Sequence, residues 1–235
     1  MFNKKVLCQA LAVAGLVATA GAANASISVF TSASSFMAAM EGAAQAPGVD
    51  TYTDLAFNIQ VFGPLNREAG AFGYRVDTAQ LLGNPPSPPG GALFGGGTFS
   101  NPAMSTNVSF DTMLFNNFVG GIAAVGGNFY TADINGGAIP GSLTLLATDA
   151  TGASITRTIT GTNATGFLGF ISTAGFMASL QVTSVQPLAG GFAWPTADNL
   201  MLANVTPIPE PGTYALMLAG LVGVGSMVAR ARRKG

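Results

Sequence analysis

The chain has 235 residues, of which 49% are hydrophobic and 8% charged, with a formal net charge of −1 and no histidine. The lack of histidine excludes Ser-His-Asp and Cys-His catalytic sites and the usual zinc sites. Between the two ends of the chain, nine acidic residues stand against three arginines, so this part lacks the basic surface that a nucleic-acid partner requires.

The first 25 residues are typical of a secretory signal peptide. Two lysines precede an apolar run, which ends in the small-residue sequence Ala23-Asn24-Ala25. This sequence predicts cleavage before Ser26 by signal peptidase, after export through the general secretion machinery, and a short membrane anchor is the alternative. Cys8, the only cysteine, would leave with this segment, so the mature chain would have neither a disulfide nor a thiol nucleophile.

Residues 26–206 are rich in Gly, Thr, Ser, Asn, Val and Phe, with turn-forming residues at short intervals. This pattern is typical of a mainly β domain, a sandwich or a barrel. One short helix is expected near its start. Thr31 or Ser32 can cap this helix, and Phe36 and Met40 would then share one face.

The Pro- and Gly-rich stretch 83–97 does not favour a regular strand or helix, so it predicts a surface loop. A linker between two subdomains is the alternative. However, residues 26–82 form a short segment with few strand-like stretches, too small to bury a core of its own. We therefore expect a single domain.

Strand patterns are clearest in the second half of the domain, where Asp149 to Gly152 predicts a hairpin turn. Arg157 alternates with threonines and shares a face with two isoleucines. Either it pairs with a carboxylate at the rim of a sandwich, which we favour, or the threonine face is the inner one. The predicted strands are 119–131, 142–148, 154–160, 166–171, 177–185 and 199–205.

Candidate binding residues are the aromatic and polar side chains that sugar recognition requires. Trp194 and Tyr130 are the main candidates for the aromatic surface, with Asp198 and Asn199 as hydrogen-bonding partners. The glycine clusters 95–97 and 136–137 are followed by neither a capped helix nor a lysine, so we expect loops there and no phosphate site. No pair of acids stands out as a glycosidase pair, so no catalytic residue is assigned.

The C-terminal segment 207–235 has three parts in order. Pro209-Glu210-Pro211 comes first, and its prolines keep the backbone extended. The uncharged apolar run 213–229 follows and is just long enough for a transmembrane helix. Four basic residues then predict that the end of the chain stays in the cytoplasm and that residues 26–206 lie outside. These basic residues are Arg230, Arg232, Arg233 and Lys234.

This order of Pro-Glu-Pro, apolar span and basic end resembles the PEP-CTERM sorting signal of exopolysaccharide-producing Gram-negative bacteria. The resemblance implies that an exosortase recognises Pro209, Glu210 and Pro211 and removes the span. It further implies a precursor anchored transiently in the inner membrane, and then a protein of the cell surface or extracellular matrix. A simple C-terminal anchor with a stiff linker is the alternative.

The domain also resembles the jelly-roll, lectin-like ectodomains common among proteins with this tail, on residues 118–130, 166–170 and 198–200. This second resemblance implies a structural calcium ion near Asp54, Asp198 and Asn199, although ordinary turn residues are the simpler interpretation, and no other cofactor is expected. The preferred function is a non-enzymatic, exopolysaccharide-associated binding or structural module. The alternative is a secreted carbohydrate-active enzyme that uses a pair of aspartates.

Overall fold

A computed structural model of the protein describes residues 27–41, 43, 45–80, 91–187 and 191–205. The predicted signal peptide, with Ala23, Ala25 and Ser26, lies outside these residues, as do the Pro-Glu-Pro motif, the apolar run 213–229 and the basic end. Within the described part of the chain, no helix has the length and apolar character needed to cross a membrane.

The described chain is mainly β, as the sequence predicts, with one short helix, α1, at Ala33–Ala39. The strands are β1 Ile27–Phe30, β2 Gly48–Asp50, β3 Gln60–Phe62, β4 Leu65–Ala69, β5 Phe72–Gln80, β6 Ala92–Thr98, β7 Asn101–Thr106, β8 Asp111–Val119, β9 Ala124–Ala132, β10 Ala138–Ile139, β11 Ser142–Asp149, β12 Ser154–Thr160, β13 Phe167–Ser172, β14 Met177–Val185 and β15 Trp194–Ala203.

The strands form two antiparallel sheets. The large sheet has nine strands, with the path β1-β13-β9-β15-β7-β6-β3, and β10 and β2 pair with β9 and β15 beside this path. The small sheet has six strands in the order β12-β11-β14-β8-β5-β4. One apolar core takes side chains from both sheets, for example Phe129 from β9 and Phe115 from β8. The two sheets therefore share a core in a β-sandwich-like arrangement.

Helix α1 is capped by Ser32, whose side chain accepts a hydrogen bond from the Ser35 backbone N–H. Phe36 and Met40 are both buried in one cluster against β9, β13 and β15, as their spacing predicts. The ring of Phe36 lies over Gly169, where any side chain would meet it, since an added Cβ would stand 2.5 Å from Phe36 Cδ2. Glycine in β13 thus allows the helix to dock.

The first half of the domain contains more strands than the sequence suggests. Residues 26–82 contain β1 to β5, although we expected this segment to be poor in strands. β2 and β3 have three residues each, and β4 alternates Asn66 and Glu68 with Arg67. Such short or polar strands show little hydrophobic alternation, so only their pairing with distant strands identifies them.

The predicted loop 83–97 is wrong over its last part. Residues 81–90 lie outside the described residues, but β6 begins at Ala92 and pairs along its length with β7. Three consecutive glycines stand inside this strand because other backbone segments pass close to it. An added Cβ on Gly95 would collide with the Ala56 carbonyl, and one on Gly96 would lie 2.8 Å from Ser105 Oγ.

The predicted strand 119–131 is in fact divided between the two sheets. β8 ends at Val119 in the small sheet, and β9 begins at Ala124 in the large sheet. Gly120 and Gly121 join them with φ values of 106° and 70°, a conformation that glycine adopts without strain. Two consecutive left-handed glycines thus turn the chain from one sheet to the other.

The hairpin predicted at Asp149 to Gly152 is confirmed between β11 and β12, with φ of 89° at Gly152. Burial by itself would raise the pKa of Asp149, but hydrogen bonds from Thr151, Ser172 and the Ala153 backbone outweigh burial and lower the pKa. The Asp149 carboxylate therefore holds the turn in its ionised form.

Arg157 lies opposite Leu145 on the edge strand β12 and shares the inner face with two half-buried isoleucines. The threonine face is exposed, so the alternative with an inner threonine face is wrong. The favoured rim pairing is also wrong. Arg157 is exposed and donates a hydrogen bond to the Thr156 carbonyl at 3.1 Å, and no described carboxylate pairs with it.

Asp111 is a buried carboxylate at the start of β8, and its Oδ1 has no hydrogen-bond partner among the described residues. Burial raises its pKa. A carboxyl with a raised folded-state pKa costs no stability below the unfolded-state pKa of about 3.9, and the cost appears as the pH rises through the folded-state pKa. We therefore expect Asp111→Asn to stabilise the protein at pH 7 relative to wild type, by an amount on the order of 1 kcal/mol that vanishes near pH 4. Thermal melts at both pH values measure this difference, and an equal difference at both would contradict the assignment.

Candidate ligand-binding site

The four predicted binding residues lie close together on the large sheet. Trp194 and Asp198 are in β15, and Tyr130 is in the neighbouring strand β9, where it pairs with Thr196. Along β9 the side chains of Val125 and Phe129 enter the core, so Tyr130 projects from the opposite, outer face. The β15 side chains beside it, Trp194 among them, share that face.

A cleft of about 220 Å³ opens on this outer face, beside Trp194. It is smaller than the clefts of about 300–1,000 Å³ that hold drug-sized ligands, so its volume suits a small unit such as one sugar ring. Aromatic, hydroxyl, amide and carboxylate groups meet there. We call it the aromatic cleft, and its lining residues are Phe94, Ser105, Thr106, Asn107, Asp133, Ile134, Gly136 and Trp194.

The wall of the aromatic cleft is the turn at residues 133–137, which lies directly on β6. Gly136 has φ of 82°, and a Cβ on it would stand 2.8 Å from Gly96 Cα. The Gly97 N–H donates to the Gly136 carbonyl at 3.0 Å. The two glycine clusters are therefore in contact. The loop predicted at 136–137 is confirmed as part of this turn, whereas the loop predicted at 95–97 is wrong, because those glycines belong to β6.

Asp133 shapes that turn and also faces the cleft. Its Oδ1 accepts hydrogen bonds from the backbone N–H groups of Asn135 and Gly137, both at 2.9 Å. This is the local side-chain-to-backbone bonding that allows aspartate to close a tight turn. Both bonds use Oδ1, and none of the hydrogen bonds among the described residues uses Oδ2.

Trp194 is held in one orientation by three kinds of contact. Its Nε1–H donates to the Asn107 carbonyl at 3.3 Å, and its ring packs against the small cluster around Tyr130. Phe192 meets it edge to face at 6.3 Å, and Phe110 meets Phe192 in the same way at 5.7 Å. We call Phe110, Phe192 and Trp194 the aromatic ridge. Two of its rings are about half exposed, so the ridge extends apolar surface outward from the cleft.

The other predicted residues are Tyr130, Asp198 and Asn199, which contact neighbouring groups of the large sheet and do not line the cleft. Asp198 is buried and accepts hydrogen bonds from Asn101 Nδ2 at 3.0 Å and from the Asn199 backbone at 2.7 Å. Burial raises the pKa of Asp198, against the effect of these bonds. Asn199 donates to Asn128 at a bulge in β15. Tyr130 is buried beneath the ridge, and burial, assisted by the charge of Asp198, raises its pKa.

No arginine or lysine is part of the described lining of the aromatic cleft. The arginines among the described residues are Arg67 in β4, Arg75 in β5 and Arg157 in β12, all three in the small sheet. Asp133 is the charged residue in the cleft lining, and the buried Asp198 lies behind the same face. The cleft therefore has a negative electrostatic character.

The residues suggested for calcium have other partners. Asp54 pairs with Arg67 at 2.6 Å, and Asp198 bonds to Asn101. Among the described residues, no group of three or more Asp, Glu, His or Cys side chains is arranged to hold a metal ion. The calcium site thus stays a prediction without a ligand cluster to support it.

A second polar cluster joins the two sheets. Asp50 of β2, in the large sheet, pairs with Arg67 of β4, in the small sheet, at 2.7 Å. The Tyr74 hydroxyl of β5 donates to Asp50 at 2.6 Å, and the Arg67 guanidinium also lies 5.1 Å from the ring centre of Tyr52. We call Asp50, Arg67 and Tyr74 the inter-sheet clamp. It borders an open groove whose lining also contains Asp54 and Glu68. Because Asp50 and Arg67 are paired with each other, the clamp has a structural role.

Trp194 was identifiable from the sequence, but most of the cleft lining was not. Phe94, Ser105 and Asn107 come from β6 and β7 or from the turn that follows β7, and Asp133 comes from a turn far along the chain. Asp133 followed by Asn135 and Gly136 was a visible turn pattern. However, nothing local indicated that this turn lies on β6.

Residues 207–234 match the family model described as the PEP-CTERM protein-sorting motif. The match covers the tail and none of the described residues. It supports an exported precursor that is anchored in the membrane and processed by an exosortase. Neither a curated protein nor a solved structure matches the chain significantly.

Proposed function

We propose that this chain, which carries a PEP-CTERM sorting motif, is an exopolysaccharide-associated binding module that acts without catalysis at the cell surface or in the extracellular matrix of a Gram-negative bacterium. Signal peptidase would remove residues 1–25, and an exosortase would then remove the tail at Pro209-Glu210-Pro211. A jelly-roll, lectin-like character of the domain belongs to the same proposal.

The observation that carries this proposal is the position of Trp194. Sugars present an apolar face of C–H groups and an edge of hydroxyl groups, so their sites combine an aromatic surface with a few fixed polar partners. Trp194 and Phe94 supply the aromatic surface. Ser105, Asn107 and Asp133 supply hydroxyl, amide and carboxylate groups within the same small cleft.

The carboxylates favour binding over hydrolysis. A glycosidase needs two carboxyl groups on either side of the scissile bond. In the described lining of the aromatic cleft, Asp133 is the single carboxylate. Asp50 and Asp54 share a partner, since both pair with Arg67. The described lining of the aromatic cleft therefore offers no carboxylate pair for the enzymatic alternative, and an activity assay has to decide between the two functions.

Replacing Trp194 with alanine tests the proposal. We expect the mature protein, purified from the culture medium, to be retained on the organism's own exopolysaccharide in affinity electrophoresis. Trp194→Ala should weaken binding about tenfold or more, because a central aromatic anchor contributes about 2 kcal/mol. Phe99→Ala is the matched control, since Phe99 is 90% exposed and lies outside the cleft lining.

Equal retention of wild type and Trp194→Ala would contradict the proposed site. Chain shortening is followed in the same samples by assaying reducing ends. Release of reducing ends by wild type, lost on replacement of an aspartate, would replace the binding module with the enzymatic alternative.

A further inference from the structure

We propose that the aromatic cleft selects an uncharged glycan chain, built of neutral or N-acetylated sugars, and rejects acidic polysaccharides. This inference rests on the proposed function and specifies its ligand class. It follows from the charges around the cleft, from the hydrogen-bonding groups that line it and from the extent of the aromatic ridge.

The charges around the cleft disfavour acidic sugars. Proteins bind sugar carboxylates and sulfates with Arg or Lys, because ion-paired hydrogen bonds repay the loss of hydration. The described arginines all belong to the small sheet, whereas the cleft lies on the outer face of the large sheet. An acidic sugar in the cleft would meet the Asp133 carboxylate, and no cation of the described lining would offset the repulsion.

The hydrogen-bonding groups of the cleft suit the hydroxyl groups of a sugar. Asp133 keeps Oδ1 engaged with two backbone N–H groups, and this fixes the carboxylate at the wall of the cleft. An oriented carboxylate accepts hydrogen bonds from sugar hydroxyls, which are stronger than those between neutral groups. The nearby Ser105 hydroxyl bonds to Thr196 Oγ1. These groups match a sugar that offers hydroxyl or amide donors and carries no carboxylate or sulfate.

The aromatic cleft and the aromatic ridge together extend over more than one sugar unit. A cleft of about 220 Å³ holds one sugar unit, but the ridge continues beyond it through Phe192 and Phe110, which are 55% and 46% exposed. Exposed rings in mutual contact offer apolar surface for the next units of a chain. Ile134, which is 72% exposed, adds to the rim of the cleft. The ligand is therefore a polymer that crosses the cleft.

The experiment separates the organism's own exopolysaccharide by ion exchange into an acidic fraction, an amino-sugar fraction and a fraction retained by neither exchanger. We expect the mature protein to bind the third fraction in a manner that depends on Trp194 and changes little between low and high salt. The acidic fraction should bind at least about tenfold more weakly than the third fraction. Trp194-dependent binding confined to the acidic or the amino-sugar fraction would overturn this inference and leave the proposed function standing. Equal binding of wild type and Trp194→Ala to every fraction would overturn both this inference and the proposed function.

A charge substitution tests the selection directly. Ile134→Lys places a cation at the exposed rim and is expected to raise binding of the acidic fraction about tenfold at low salt, with the gain lost at high salt. The matched control is Phe99→Lys, the same charge on an exposed side chain outside the cleft lining, which should leave binding unchanged. An equal gain from both variants would show that total charge, and not the cleft, decides the selection and would overturn the inference.

Discussion

Arg67→Met is expected to destabilise the protein by about 3 kcal/mol, because it leaves the buried Asp50 carboxylate without its cation. For a chain of this size, that loss lowers Tm by about 9 °C. Methionine keeps much of the side-chain volume, so the effect would report charge pairing more than packing. The contribution of Asp54 is small, since that side chain is 69% exposed.

The reason for the large effect is that the clamp joins the two sheets. Asp50 lies in β2 of the large sheet, and both Arg67 and Tyr74 reach it from the small sheet. The same carboxylate accepts the backbone N–H of Tyr52, a buried residue with φ of 55°, which is an uncommon conformation for a bulky side chain. Loss of Arg67 therefore weakens both the contact between the sheets and the strained turn after β2.

Arg75→Met is the matched control. Arg75 pairs with Asp77 on the same strand and is 37% exposed, so its loss should cost about 1 kcal/mol or less. Denaturant unfolding of both variants measures the two values. If the two substitutions cost the same, the inter-sheet clamp does not stabilise the fold as proposed.

The stability difference between wild type and Arg67→Met should also depend on pH. A hydrogen bond from Arg67 lowers the pKa of Asp54. A carboxylate with a lowered folded-state pKa adds stability above the unfolded-state pKa of about 3.9, and this contribution is lost as the pH falls through the folded-state pKa. The difference is therefore expected to narrow as the pH is lowered from about 6 towards 3.

The parts of the fold that the sequence predicted are those with local patterns. The bounds of β12 and β14 agree with the alternation of apolar and polar residues, and the hairpin agrees with its Asp and Gly. Strand β6 was missed because its glycines serve contacts with Ala56 and Gly136, which are distant in sequence. Local propensity argues against a strand there, and only long-range packing makes the glycines necessary.

The candidate site likewise contains some residues that the sequence indicated and others that it did not. Trp194 was identifiable because tryptophan is rare in this chain and its chemistry suits sugar binding. The position of Asp133 was not, since it depends on the contact between Gly136 and Gly96. Asp198 and Asn199 have the right polar groups, but these groups are used by Asn101 and Asn128. Residue type alone does not distinguish a binding group from a group that holds a bulge.

Without its Pro-Glu-Pro sequence, the tail is expected to stay uncleaved in all of the exported protein. Replacing Pro209-Glu210-Pro211 by three alanines is expected to abolish removal of the tail, so the exported protein would still contain Arg232 when analysed by mass spectrometry. Prolines favour an extended backbone, the form in which a protease binds its substrate alongside its own strands, whereas alanines favour a helix. The substitution would therefore change the backbone conformation offered to the exosortase. Pro207→Ala, which lies within the matched residues 207–234 but outside the Pro-Glu-Pro sequence, is the control and should mature normally.

The apolar run and the basic end make a separate contribution that can be distinguished from motif recognition. The positive-inside rule predicts that the four basic residues keep the end of the chain in the cytoplasm. Changing them to glutamate is therefore expected to disturb the predicted orientation and leaves the Pro-Glu-Pro sequence intact. Accessibility of the domain to protease in intact spheroplasts reports orientation, and the mass of the C-terminal peptide reports cleavage. The alanine motif variant should keep the outward orientation and lose cleavage. A motif variant that matures like wild type would show that the exosortase does not require these three residues.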